Sequence, residues 1–208
     1  MVFTNRNQAA DRLAAALAAY KGQHPLILAI PRGAVPMGQR LARALEGDLD
    51  VVLVRKLRAP FNPEFAIGSI DESGWTYIAD YAESAGGTPA YLEQEKQAQL
   101  ETIRQRRAKY TPLRPPIDPA GRIVIVVDDG LATGATMISA LHALRAQEPA
   151  RLICAVPVAP PDTLDRIRAY ADEVVCLEAP ASFRAVGQFY ADFPQIEDAE
   201  VEAILRQA

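Results

Sequence analysis

Five short, almost wholly apolar runs constrain this chain more than anything else in it. They are LILAI at 26–30, DVVLV at 50–54, RIVIVV at 122–127, LICAVPV at 152–158 and EVVCL at 173–177. A strand with one face in water alternates apolar and polar residues. A continuous apolar run is buried on both faces, the pattern of a parallel sheet covered by helices. Helical spacing fills the gaps. Leu13, Leu17 and Tyr20 mark a helix over 5–20, and Met37, Leu41 and Leu45 mark a second, stopped by Gly47. Met137, Leu141 and Leu144 mark a third over 133–147, and Pro161 opens a fourth over 161–171. Strands alternating with helices predict an α/β fold, a parallel sheet flanked by helices with right-handed crossovers.

Two stretches break the alternation. Residues 57–115 open with a loop holding Pro60 and Pro63, then give AIGSID and WTYIA as two short strands around Glu72-Ser73-Gly74. Thr88-Pro89 has the form of an N-cap followed by proline, and starts a mostly polar helix to about Tyr110. Such a helix covers a surface rather than filling a core, and its Arg104, Arg106, Arg107 and Lys109 read as a solvated face. From 178 the chain forms a C-terminal lobe rich in aromatics, with Phe183, Phe189 and Tyr190 read as its core in preference to surfaces on which a ring could stack, and a helix near 198–206. The 208 residues suit one domain, 1–208, carrying the insertion 57–115 and the lobe 178–208.

Chemistry concentrates in Ile123 to Thr136, IVIVVDDGLATGAT. A buried strand delivers Asp128 and Asp129 at its C-terminal end, where open parallel sheets bind ligands. The chain then enters a helix through Thr133-Gly134-Ala135-Thr136. A helix N-terminus offers unpaired amides and a positive dipole end to an anion, and glycine lets the backbone approach it. Two carboxylates beside a phosphate cradle suit a sugar phosphate, and Mg²⁺ also favours the carboxylates. A Walker loop would need Gly-Lys, but Ala135 follows Gly134, and no Rossmann glycine pattern follows a strand. The absence of G-x-S-x-G argues against an α/β-hydrolase. The bland reading is a turn built from Asp, Gly and Thr.

The stretch resembles the phosphoribosyl-pyrophosphate motif of type I phosphoribosyltransferases: four apolar residues, two acidic, then a loop ending Thr-Gly-x-Thr. The resemblance implies that Asp128 and Asp129 hold the ribose hydroxyls, directly or through Mg²⁺. It implies that Leu131, Ala132, Thr133, Gly134, Ala135 and Thr136 hold the 5-phosphate. Arg32 and Gly33, in IPRG after the first core strand, fall where the family has its pyrophosphate loop. Arg55 and Lys56 end the next strand, where members also carry basic residues. Asp128, Asp129, Lys56 and Arg32 are accordingly the expected catalytic group. The insertion corresponds to the family's closing loop, and the C-terminal lobe to its hood.

The implied reaction moves 5-phosphoribosyl from its pyrophosphate to a nitrogenous acceptor, as in nucleotide salvage, with Mg²⁺ as cofactor and a homodimer as the assembly. Members acting on 6-oxopurines carry aspartate before Thr-Gly. Ala132 stands there, as in adenine-type members, which disfavours hypoxanthine, guanine and xanthine without establishing adenine. A non-catalytic regulator that binds the same donor is the alternative.

Charge bears on that choice. Lys and Arg total 22 against 26 Asp and Glu, a formal net charge of −4. Sequence-independent nucleic-acid binding needs a positive face, so a nucleic-acid partner is not expected. The N-terminus lacks the apolar stretch of a signal peptide, and no run reaches membrane-spanning length. Cys154 and Cys176 read as reduced, buried thiols, and a cytoplasmic setting follows. His24 and His142 read as isolated surface residues.

Overall fold

The computed structural model describes residues 2–208 and is an α/β fold. Five parallel strands form the central sheet: β1 (Leu26–Ala29), β2 (Asp48–Val51), β6 (Ile123–Val127), β7 (Arg151–Val158) and β8 (Glu173–Glu178), ordered β2-β1-β6-β7-β8. The apolar runs take this form because both faces are covered. Ile27, Ala29, Ile125, Val127 and Ile153 face a core shared with α1 (Arg6–Ala16), α2 (Val35–Leu45) and α6 (Asp198–Leu205). Leu26, Leu28, Val124, Val126 and Cys154 face the core beneath α4 (Ala135–Arg145) and α5 (Pro161–Ile167). Asn5 caps α1 by accepting from the Gln8 amide, and a 3-10 turn over Ala18–Tyr20 ends the segment.

The second apolar run needs correction. Pairing with β1 stops at Val51, and the chain leaves the parallel sheet through Val52-Leu53. Val54–Ala59 is a separate strand, β3, in a three-stranded antiparallel sheet with β4 (Asn62–Asp71) and β5 (Thr76–Ile78), ordered β3-β4-β5. Arg55 and Lys56 therefore stand inside the first strand of this second sheet, not at the end of a core strand. The expected proline loop is a hairpin turning at Pro60-Phe61, and Pro63 lies in β4. The antiparallel unit begins ahead of residue 57.

The polar helix α3 (Pro89–Tyr110) lies across β3 and β4. It buries Glu95 and Gln99 beside Ile103 and Tyr110, so its inner face is polar at the end over the hairpin. The solvated reading of its basic run also needs revision. Arg107 forks onto both carboxylate oxygens of Glu72 at 2.8 and 2.6 Å, and Tyr110 is buried.

In the C-terminal lobe, Phe189 and Tyr190 are buried, and Phe183 packs on Phe189 with ring centroids 5.0 Å apart. A bridge from Phe3 to Tyr190 ties the lobe to the N-terminal segment. His142 is not a surface residue. It stacks on Trp75 at 3.6 Å and 9°, joining the second sheet to α4. Cys154 is buried and Cys176 half-buried; both are free.

Candidate active site

The C-terminal ends of β1 and β6, the N-terminus of α4 and the edge of the antiparallel sheet enclose one cavity of about 930 Å³. Its wall includes Arg32, Gly33, Arg55, Lys56, Asp128, Asp129 and all of 131–136. Every residue singled out in the sequence for binding or catalysis is thus in one place. Arg58, Arg184, Val186, Gly187 and Phe193 also line it.

The floor is the loop after β6. Gly134 caps α4 at φ +77°, in the left-handed region where a side chain costs energy, and Cβ there would stand 2.8 Å from Thr163 Cγ2. Helix α5 braces this loop: Thr163 Oγ1 donates to the Ala132 carbonyl at 2.8 Å and the Arg166 guanidinium to that of Thr133 at 3.2 Å. Both carbonyls are thereby engaged on the α5 side, while the first turn of α4 has amides without intrahelical acceptors. The result is a donor-rich pocket of the kind that binds phosphate.

Beside it stand the carboxylates. Burial and the adjacent Asp129 charge push Asp128 well above the ordinary aspartate range, against the pull of the Asp129 amide, Lys56 and Arg6. Burial also raises Asp129, but Arg6 opposes it directly. Arg6 donates through Nε to Asp129 Oδ2 at 2.9 Å, and its NH2 lies 2.9 Å from the same oxygen. Gly33 approaches from the other side: a Cβ on it would fall 2.2 Å from Asp129 Oδ2 and 3.3 Å from the Arg6 guanidinium. Only a residue without a side chain fits there.

The roof is positive. Burial, with Arg106, Arg58 and Arg32 nearby, holds Arg55 below the ordinary arginine range. Arg55 Nε donates to Gln99 Oε1 at 2.9 Å, Gln99 Nε2 to Glu95 Oε1 at 3.0 Å, and Arg58 Nε to the same Glu95 oxygen at 2.8 Å. This network is why α3 buries polar side chains. Arg32 lies 3.7 and 3.6 Å from Glu197 and Asp198, so its charge is shared with the start of α6.

An amide cradle, a carboxylate pair and a cation cluster thus stand around one cavity. The family model for the phosphoribosyl transferase domain matches residues 3–194. The chain belongs to the phosphoribosyltransferase family. A Thermus thermophilus protein of known crystal structure is 44% identical, superposes with a TM-score of 0.82 and is aligned over 100% of this chain and 99% of its own. Proteins from Mycobacterium tuberculosis strains CDC 1551 and H37Rv, provisionally described as phosphoribosyl transferases, are 41% identical over 210 residues. The chain spans about half the length of these curated relatives, 100% of it aligning with 47% of theirs.

Sequence reasoning missed two partners of this site. Tyr190, read as core in preference to a stacking surface, donates its hydroxyl to the Asp129 carbonyl at 2.6 Å. Arg6 lies 123 positions from Asp129. It did leave a trace, since a cation in the first turn of a helix opposes the macrodipole and needs some other reason to be there.

Proposed function

We propose that this phosphoribosyltransferase moves 5-phosphoribosyl from phosphoribosyl pyrophosphate to a nitrogenous acceptor, releasing pyrophosphate. The observation carrying this is the shared cavity, whose wall holds an amide cradle, two carboxylates and a group of cations, one kind of partner for each of that donor's three parts. The loop 131–136, with the Thr133 and Thr136 hydroxyls, holds the 5-phosphate. Asp128 and Asp129 accept from the ribose hydroxyls. Arg32, Arg55 and Lys56, with the Gly33 amide, hold the pyrophosphate.

In this reading the C1–O bond breaks as a C1–N bond forms, through an oxocarbenium-like state, and the electron pair leaves on pyrophosphate. The cations stabilise that departing charge, and the cavity walls hold the acceptor close while limiting water. The donor set fits Mg²⁺: hard, half-buried carboxylate oxygens, with no third carboxylate, histidine or cysteine clustered near them among the described residues. Asp128 and Asp129 would hold the ion together with donor oxygens, and when bound it supplies charge stabilisation at the leaving group.

Supporting details are of lesser weight. No described helix is long and apolar enough to cross a membrane. By the family resemblance the reading extends to a cytoplasmic homodimer, with 57–115 as roof and 178–208 as hood on one 1–208 unit. The test is pyrophosphate release over a panel of purines, pyrimidines and small amines. Turnover on one acceptor class supports the enzyme. Donor binding without turnover on any of them favours the regulator.

A further inference from the structure

Among the described residues, the buried guanidinium of Arg6 is the one cation in direct contact with the carboxylate pair, and neither the motif nor the cation cluster contains it. Arg6 is 8% exposed. Its Nε and NH2 both reach Asp129 Oδ2, its NH1 donates to the Pro194 carbonyl at 2.6 Å, and its Cζ lies over the Phe193 ring, 3.8 Å from the centroid. One planar group thus joins three segments: the start of α1, the acidic turn after β6, and the C-terminal hood.

The same contacts divide the carboxylate pair. Asp129 Oδ2 is committed to Arg6, and Asp128 Oδ1 accepts from the Asp129 amide at 2.9 Å. This leaves Asp128 Oδ2 and Asp129 Oδ1 as the oxygens free to meet a ligand. Without Arg6, Asp129 would be a half-buried carboxylate beside another carboxylate, its Oδ2 set in the space that the missing side chain of Gly33 leaves but without its guanidinium donor. A charged fork that also grips the hood holds that oxygen in place. Buried charges joined by bidentate contacts lose much when one partner is removed.

We propose that Arg6 is a positioning residue for donor binding: it fixes the rotamer and charge of Asp129 and couples the acidic turn to the hood. The proposal rests on the function proposed above, and the experiment separates their failures. Binding of phosphoribosyl pyrophosphate with Mg²⁺ is measured by calorimetry on the full chain, for wild type, Arg6→Gln, Asp129→Asn and the double variant. Each variant is first checked for a cooperative thermal transition.

Arg6→Gln is expected to weaken binding about tenfold or more in the wild-type background, and less than about twofold when Asp129 is already asparagine, the signature of a coupled pair. Arg6→Lys should fall between, since it restores charge but cannot reach Asp129 and Pro194 together. Should Arg6→Gln fail to fold, Arg6→Lys is compared in the two backgrounds with the same expectation of coupling. Equal losses in both backgrounds, or none in either, overturn the role of Arg6 while leaving donor binding intact. Failure of the wild type to bind the donor overturns the function itself, and the role of Arg6 with it.

Discussion

The two sheets of this molecule serve one cavity by opposite means. The parallel sheet is held by dispersion and burial: Ile27, Val126, Ile153 and Cys154 are fully buried, and its contribution to the site is backbone, the amide cradle and the turn carrying Asp128 and Asp129. The antiparallel sheet with α3 holds its site residues through polar side chains. Arg55 and Arg58 are fixed by the buried Gln99 and Glu95. The difference teaches where precision comes from. A packed core positions peptide groups without directional bonds, whereas long cations need a partner for each fork.

Truncation in the floor should damage stability most. Ile125→Ala in β6 removes a fully buried side chain and is expected to cost about 2–5 kcal/mol in urea unfolding. A loss below about 1 kcal/mol would show that the parallel sheet is less tightly packed than described. Glu95→Ala in the roof should cost less stability, about 1–3 kcal/mol, because it strands Arg58 and Gln99 rather than opening a cavity. It should also weaken donor binding several-fold by loosening Arg55, which Ile125→Ala should not do in the surviving folded population.

Acid sharpens the same contrast. Burial alone would raise the Glu95 carboxyl, but its bonds from Arg58 and Gln99 bring it below the ordinary glutamate range. A depressed carboxyl stabilises the fold above its unfolded value and loses that contribution as pH falls through the folded one. The stability gap between wild type and Glu95→Gln should therefore narrow below about pH 4.3, where an ordinary glutamate protonates. A gap that stayed constant well below that pH would contradict the network. The smallest effect is expected from Arg104→Ala on the outer face of α3. Its partner Glu101 is 3.9 Å away and both are exposed, so unfolding should shift by less than about 0.5 kcal/mol.

The contrast also explains what could be read from the sequence. The parallel strands were legible because burial on both faces writes a continuous apolar run. The loop 131–136 was legible because an amide cradle needs small residues in a fixed order. Strand β3 was not, because VRKLRA carries three cations and its turn at Pro60-Phe61 lacks the usual Asn-Gly chemistry. Nothing near Glu95 and Gln99 in the sequence marks them as buried, since their partners are 37 and 44 residues away. Arg6 left only the trace of a cation in a helix's first turn, with no sign of its partner 123 positions away. Long-range polar pairs leave no periodicity, so the roof and the brace on Asp129 emerge only in three dimensions.

The central claim is that the acidic turn after β6 holds phosphoribosyl pyrophosphate. It is tested most directly by calorimetry of that donor with Mg²⁺ on wild type and on the Asp128→Asn/Asp129→Asn double variant. The near-isosteric change removes both acceptor charges and spares the core. Binding should weaken by about 100-fold or more, on the order of 3 kcal/mol. Unchanged affinity in the double variant would contradict the account.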